Sequence, residues 1–317
     1  MNPSPPKSFF YNDALKEAEE IARKQLEKSV KSNEPRKILI IVTGGTISMI
    51  HSEKGYIVKK NFMFNFLKEH PSFCDMDYTF FHAEDDFLIT PETIYKKRIY
   101  FKILEFETII DSSNMNIVYW LQIAECIEKH YSKYDAFIIL HGTDTMAYTS
   151  SALSFMFENL NKTVIITGSQ VPLSLMRNDA YNNLLSAIII AGHFTIPEVL
   201  ILFRDKLFRG NRARKRDAQD LDGFDSPNFV PLAEFSSINF DIKWDLLLKP
   251  DPKTNFNVFK TLNDRIAVFK YHPLTSYSVM EALFKNPEIK AIIIESYGSG
   301  NLPNNKPEIL RLIKVSE

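Results

Sequence analysis

Ile38-Leu-Ile-Ile-Val-Thr-Gly-Gly-Thr46 sets the fold: five apolar residues in unbroken succession, then a turn of two glycines flanked by threonines. The pattern returns. Ala136-Phe-Ile-Ile-Leu140 ends in His141-Gly-Thr-Asp144, Val164-Ile-Ile166 in Thr167-Gly-Ser-Gln170, and Val199-Leu-Ile-Leu-Phe203 in Arg204-Asp205. Apolar runs without alternation belong to strands buried on both faces, as in parallel sheets. Between them, Ile117–Tyr131, Thr145–Leu160 and Asp179–Ala191 carry helical spacing. Strand and helix in alternation predict a doubly wound, mainly parallel α/β domain.

Outward from this core the chain is less regular. Residues 1–12 are rich in Pro and Ser, and Asp13–Val30 has the apolar spacing of an amphipathic helix, with Pro35 beyond it. Residues 239–262, containing Lys249-Pro-Asp-Pro-Lys-Thr-Asn-Phe-Asn257, lack periodicity and read as a linker. After it come a strand (Arg265–Phe269), a helix (Thr275–Phe284), a strand (Ala291–Glu295) and a helix (Pro307–Ile313). The expected organisation is an N-terminal extension over 1–36, a large domain over 37–238, the linker, and a small α/β domain over 263–317. So small a module buries too little surface to be robust alone.

Composition narrows the function. Lys and Arg number 38 against 39 Asp and Glu, a net charge of −1, so no global field favours nucleic acid or an anionic membrane. Two cysteines, Cys74 and Cys126, are too few for a disulfide scaffold and fit a reducing compartment. The start, MNPSPPKSFFYNDALKEAEE, has no basic region followed by an apolar one, so no secretory signal is expected. The most apolar stretch, Leu184–Phe203, is interrupted by Ser186, His193, Pro197 and Glu198 and is not read as a membrane span. Ten glycines in 317 residues is about 3%, under half the usual roughly 7%. Each is therefore expected where the backbone demands it.

In open α/β sheets, ligands bind beyond the carboxyl ends of the strands. Those ends carry Thr43, Thr46, His141, Thr143, Asp144, Thr167, Ser169 and Gln170. Singly, such a threonine is a strand-end residue and Asp144 a helix cap; two matching Gly-Thr turns in one chain point to a hydroxyl-rich crevice. A hydroxyl nucleophile needs a base. The histidines show no useful arrangement, His141 is read as structural, and no His or Cys spacing resembles a zinc site. Lysine is the other possible base, and Arg204–Arg216 supplies candidates without identifying one.

The motifs go further. Thr43-Gly-Gly-Thr-Ile47, Asp111-Ser-Ser-Asn-Met115, His141-Gly-Thr-Asp-Thr-Met-Ala-Tyr148, Thr167-Gly-Ser-Gln-Val-Pro172, Leu207-Phe-Arg-Gly-Asn-Arg212 and Ser226-Pro-Asn228 occur in an order that resembles the cytosolic, type I L-asparaginase family over residues 37–317. The resemblance implies hydrolysis of the L-asparagine side-chain amide, with Thr46 as nucleophile. Thr143, Asp144 and Lys215 match the family's second threonine, aspartate and lysine, and Tyr56 matches its loop tyrosine. Asp111, Ser112 and Ser113, with Thr143 and Asp144, match the segments that hold the substrate's α-amino and α-carboxylate groups. It further implies a β-aspartyl ester intermediate, no metal or organic cofactor, a homodimer or homotetramer, a cytoplasmic location, and no nucleic-acid or membrane partner. Arg214 stands where the family carries threonine, and Leu302-Pro303 follow Gly298-Ser-Gly-Asn301 where a small residue is usual. Glu317 falls several tens of residues before the family's usual end, so the second domain is expected to be incomplete. The alternatives are an ammonia-supplying subunit of a tRNA-dependent amidotransferase, and a non-catalytic amino-acid-binding or assembly subunit.

Overall fold

The computed structural model describes residues 35–52, 55–218, 220–236 and 240–315; the helix expected over Asp13–Val30 lies outside them. The chain divides into two compact units, Met1–Lys260 and Thr261–Glu317. Among the described residues no helix is long and apolar enough to cross a membrane.

Among the described residues the first unit begins with β1 (Lys37–Gly44), whose residues after Lys37 are all buried, and a short hairpin of β2 (Met49–Ser52) and β3 (Gly55–Val58). Helices α1 (Phe62–Glu69) and α2 (Met76–His82), strand β4 (Leu88–Ile89) and the long strand β5 (Tyr100–Ile110) follow. Then come α3 (Ile117–His130), β6 (Ala136–Leu140), α4 (Met146–Met156), β7 (Phe157–Glu158), β8 (Thr163–Thr167), α5 (Ala180–His193) and β9 (Val199–Phe203). The four apolar runs of the sequence are β1, β6, β8 and β9, joined in parallel register. Strand β5 adds a fifth parallel member beside β1.

Antiparallel edges complete the sheet. On one side β4 pairs with β5; on the other stand β10 (Lys206–Arg209), β13 (Ala233–Phe235) and β14 (Phe240–Ile242). The nine strands run in the order β14-β13-β10-β9-β8-β6-β1-β5-β4. Ile38, Ile40 and Val42 share one buried cluster with Met63 and Leu67 of α1 and with Leu184, Ala187, Ile188 and Ala191 of α5. Leu39 and Ile41, which point the other way, are equally buried. Both faces of the sheet are therefore covered, as unbroken apolar strands require.

Two expectations need correction, and one strand is new. Strand β5 was not apparent in the sequence. The helix expected over Thr145–Leu160 stops at Met156, because β7 turns away to pair with β15 (Asn257–Val258). Residues 240–258, read as the first part of a linker, contain β14 and β15. This stretch is also clamped by an ion pair. Glu198, whose side chain is 2% exposed, accepts from Arg209 Nε at 2.6 Å and from Leu248 N–H at 2.7 Å, while Arg209 Nη2 donates to Leu246 O. A buried carboxylate so fully paired holds its surroundings tightly.

The second unit contains β16 (Ile266–Lys270) and β17 (Ala291–Glu295) in parallel, with α6 (Tyr277–Phe284) and α7 (Pro307–Val315). Its core is Tyr271, Met280, Ile309 and Leu312. Alternate strand residues Ile266, Val268 and Ile293 remain exposed.

Candidate active site

The two Gly-Thr turns touch. Gly44 (φ +140°) and Gly45 (φ +89°) end β1 in backbone conformations that L side chains rarely adopt. A Cβ on Gly45 would lie 2.4 Å from Gly142 N, and one on Gly44 would lie 2.1 Å from Ile110 O. Only glycine lets the end of β1 press against both the turn after β6 and the end of β5. Thr46 follows at once, opening a short 3₁₀ turn (Thr46–Ser48).

Hydroxyls lace the strand ends together. Thr43 Oγ1 donates to Leu140 O at 2.9 Å, Thr167 Oγ1 to Leu202 O at 2.8 Å, and Thr145 Oγ1 to Ser112 O at 2.7 Å. Thr43 and Thr167 therefore spend their hydrogens on neighbouring backbone. Asp111, at the end of β5, caps the Ser112–Asn114 turn by accepting from Ser113 N–H at 2.9 Å. Ser112 is buried beneath Gly142, where a Cβ would meet Ser112 Oγ at 2.4 Å; Asp111 and Ser113 are exposed.

His141 is wholly buried and sits in a hydrogen-bond chain of fixed direction. Gly142 O can only accept, so Nδ1 carries the proton in the 2.7 Å contact. Nε2 must then accept from Thr149 Oγ1 at 2.9 Å, and Thr149 in turn accepts from Trp120 Nε1 at 3.0 Å. Burial pulls the imidazole down to about 4, against a smaller upward pull from the Gly142 bond. His141 is thus neutral and anchors the turn bearing Thr143.

The charged centre is Lys215. It lies on the two-residue strand β11 (Arg214–Lys215), paired antiparallel with β12 (Phe224–Asp225). Its Nζ donates to Thr143 Oγ1 at 2.8 Å and to Asp144 Oδ1 at 2.7 Å. The Lys215 side chain is 18% exposed and that of Asp144 is 63% exposed, so a shielded ammonium meets a carboxylate open to solvent. Tyr56 stands on the β2–β3 hairpin, half exposed, its ring edge-on to His51 at 5.7 Å between centroids. Among the described residues no group of three His, Cys, Asp or Glu side chains is placed to hold a metal ion.

The structure thus joins Thr143, Asp144 and Lys215 in one hydrogen-bonded cluster, sets the turn of Thr46 against the turn that carries them, and brings Ser112 beneath the second turn. It does not bring Tyr56 into that cluster. The sequence assigns no role to Trp120 or Thr149, marks Asp179 only as the start of a helix, and places Gln170 at a strand end and in the Thr167–Pro172 motif without giving it a role. Their hydrogen bonds join separate elements, with partners from eight residues away (Thr149 to His141) to 50 residues away (Gln170 to Asp220), so no contiguous motif records them.

The family model "Asparaginase, N-terminal" matches residues 37–248. The chain belongs to the asparaginase family. Escherichia coli L-asparaginase 1 is 39% identical over 89% of this chain and 77% of its own length. The human 60 kDa lysophospholipase is also 39% identical over 89% of this chain, which spans 48% of that relative. Against the crystal structure of L-asparaginase I from Vibrio cholerae the TM-score is 0.76, at 40% identity, covering 89% of this chain and 78% of that one. The large, mainly parallel sheet of this chain accordingly has the asparaginase fold.

Proposed function

We propose that the chain hydrolyses the side-chain amide of L-asparagine to L-aspartate and ammonia. The observation that carries this reading is Lys215 bonded to both Thr143 and Asp144, on a turn that lies against the turn of Thr46. A threonine hydroxyl is nearly all protonated at neutral pH and attacks only when a neighbouring base takes its proton. Lysine can serve once it has lost a proton, whereas arginine essentially cannot.

Thr46 Oγ attacks the amide carbon, forming the C–O bond. Its proton passes to the leaving nitrogen, the C–N bond breaks, and ammonia departs from a β-aspartyl ester. Water then attacks the ester carbon, giving up a proton through the Thr143–Lys215 pair, and Thr46 regains its hydrogen as aspartate leaves. Asp144 suits the substrate's α-ammonium as a counter-ion, and Ser112 and Ser113 suit its α-carboxylate. Tyr56, on its exposed hairpin, is assigned to covering the site. The two free cysteines support a reducing, cytoplasmic setting. Association into a homodimer or homotetramer belongs to the same proposal.

A substrate panel tests the reading. Purified protein is expected to release ammonia from L-asparagine, without tRNA, and to leave a lysophospholipid ester intact. Ester cleavage without ammonia release would transfer the same acyl chemistry to a different substrate. Binding of L-aspartate without turnover would indicate a non-catalytic relative.

A further inference from the structure

We infer that Gln170 is a positioning residue that directs the hydroxyl of Thr143 and ties it to the loop following Lys215; the inference rests on the amide-hydrolase reading above. Gln170 lies three residues beyond the end of β8. Its backbone N–H donates to Asp179 Oδ2 and that of Val171 to Asp179 Oδ1, both at 3.0 Å. Asp179 is 7% exposed, so a buried carboxylate grips the main chain from which the Gln170 side chain extends.

Which end of the amide faces which neighbour is set by donor and acceptor chemistry. Asp217 O and Asp220 O lie 3.3 and 3.5 Å from Nε2, and carbonyl oxygens only accept. The NH₂ end must face them, which turns Oε1 toward Thr143 Oγ1 at 3.4 Å. Thr143 in turn accepts from the Lys215 ammonium at 2.8 Å, so its single hydrogen is left for Gln170. The hydroxyl is thereby aimed, its lone pair at Lys215 and its proton at the amide. These amide contacts are long, at 3.3 to 3.5 Å, and so orient the amide more than they bind it.

Gly223 supplies the room. A Cβ there would stand 2.8 Å from Gln170 Nε2 and 3.1 Å from Asp217 O. The loop returns at this point, with Arg216 N–H donating to Gly223 O at 2.7 Å. Through Gln170, Thr143 and Asp217, two residues beyond Lys215, thus belong to one hydrogen-bonded unit.

The test compares the full chain with Gln170→Met, which keeps the length of the side chain and removes both ends of the amide, and with Gly223→Ala, which displaces the amide while retaining it. Three quantities are read: ammonia release from L-asparagine, hydrogen exchange of peptides over 216–223, and thermal stability. For both variants kcat is expected to fall about tenfold with KM within about twofold of the parent. Exchange over 216–223 should quicken while the melting temperature stays nearly unchanged. Unchanged kcat, or a loss of rate explained wholly by a lower melting temperature, would overturn the inference. If the parent chain releases no ammonia, the proposed function fails and the exchange comparison judges the link. Faster exchange in Gln170→Met then supports it, and unchanged exchange refutes it.

Discussion

Lys215 is the residue on which the chemistry depends, because one ammonium is shared between Thr143 and Asp144. Lys215→Met is expected to lower kcat about a thousandfold, in the range for loss of a positioned proton-transfer group, with little change in KM. Lys215→Arg should be nearly as inactive, since it keeps the charge and cannot release a proton. Steady-state ammonia release from both variants, set beside their melting curves, checks this. Much of the candidate site was legible at this scale because it sits in short contiguous motifs at strand ends. Lys215 was different: its neighbourhood in the sequence offers several cations, and resemblance rather than spacing singled it out. The tautomer of His141 and the reach of Gln170 were illegible. Thr149 and Trp120 come from two helices, and the Gln170 carbonyl partners lie 47 and 50 residues away.

At the scale of elements, the four central strands were readable since burial on both faces leaves no place for a polar residue. Strand β5 escaped because Lys102, Glu105 and Glu107 interrupt its apolar residues, and beyond β4 its outer edge carries no partner strand among the described residues. β14 and β15 escaped for another reason. Strands of two or three residues are too short to show a period. What the sequence did reveal about turns can be tested with two glycines. Gly45→Ala combines φ +89° with a Cβ 2.4 Å from Gly142 N, so it should lower unfolding free energy by roughly 3 kcal/mol or more. Gly55→Ala has φ +97° with nothing within 4 Å, and its cost should stay near the backbone contribution of about 1 kcal/mol. Urea titration of the two variants gives the comparison. Equal losses would show that the contact between the Gly-Thr turns is not what demands glycine.

For the molecule as a whole, two buried imidazoles make stability depend on pH. Burial pulls His141 and His193 each down to about 4, with Arg36 and Lys97 adding to the effect at His193. Thr93 Oγ1 donates to Lys97 O and so accepts from His193 Nε2 at 2.8 Å. In the unfolded chain both rings titrate near 6.5, so below that pH the unfolded state binds more protons than the folded one. Stability is therefore fully present above about pH 6.5 and falls as pH drops toward 4, by on the order of 3 kcal/mol for each ring. Urea midpoints at pH 7 and pH 4.5 should differ accordingly, and His193→Gln should reduce that difference. A midpoint independent of pH would mean that these rings are charged in the folded protein.

The central claim is that Thr46 carries the acyl group. Acid-quenching the protein during turnover of L-asparagine, then mapping its peptides by mass spectrometry, tests this most directly. The account predicts one aspartyl group in ester linkage on Thr46, and neither adduct nor ammonia release in Thr46→Ala. An aspartyl ester on another residue, or undiminished ammonia release by Thr46→Ala, would contradict it.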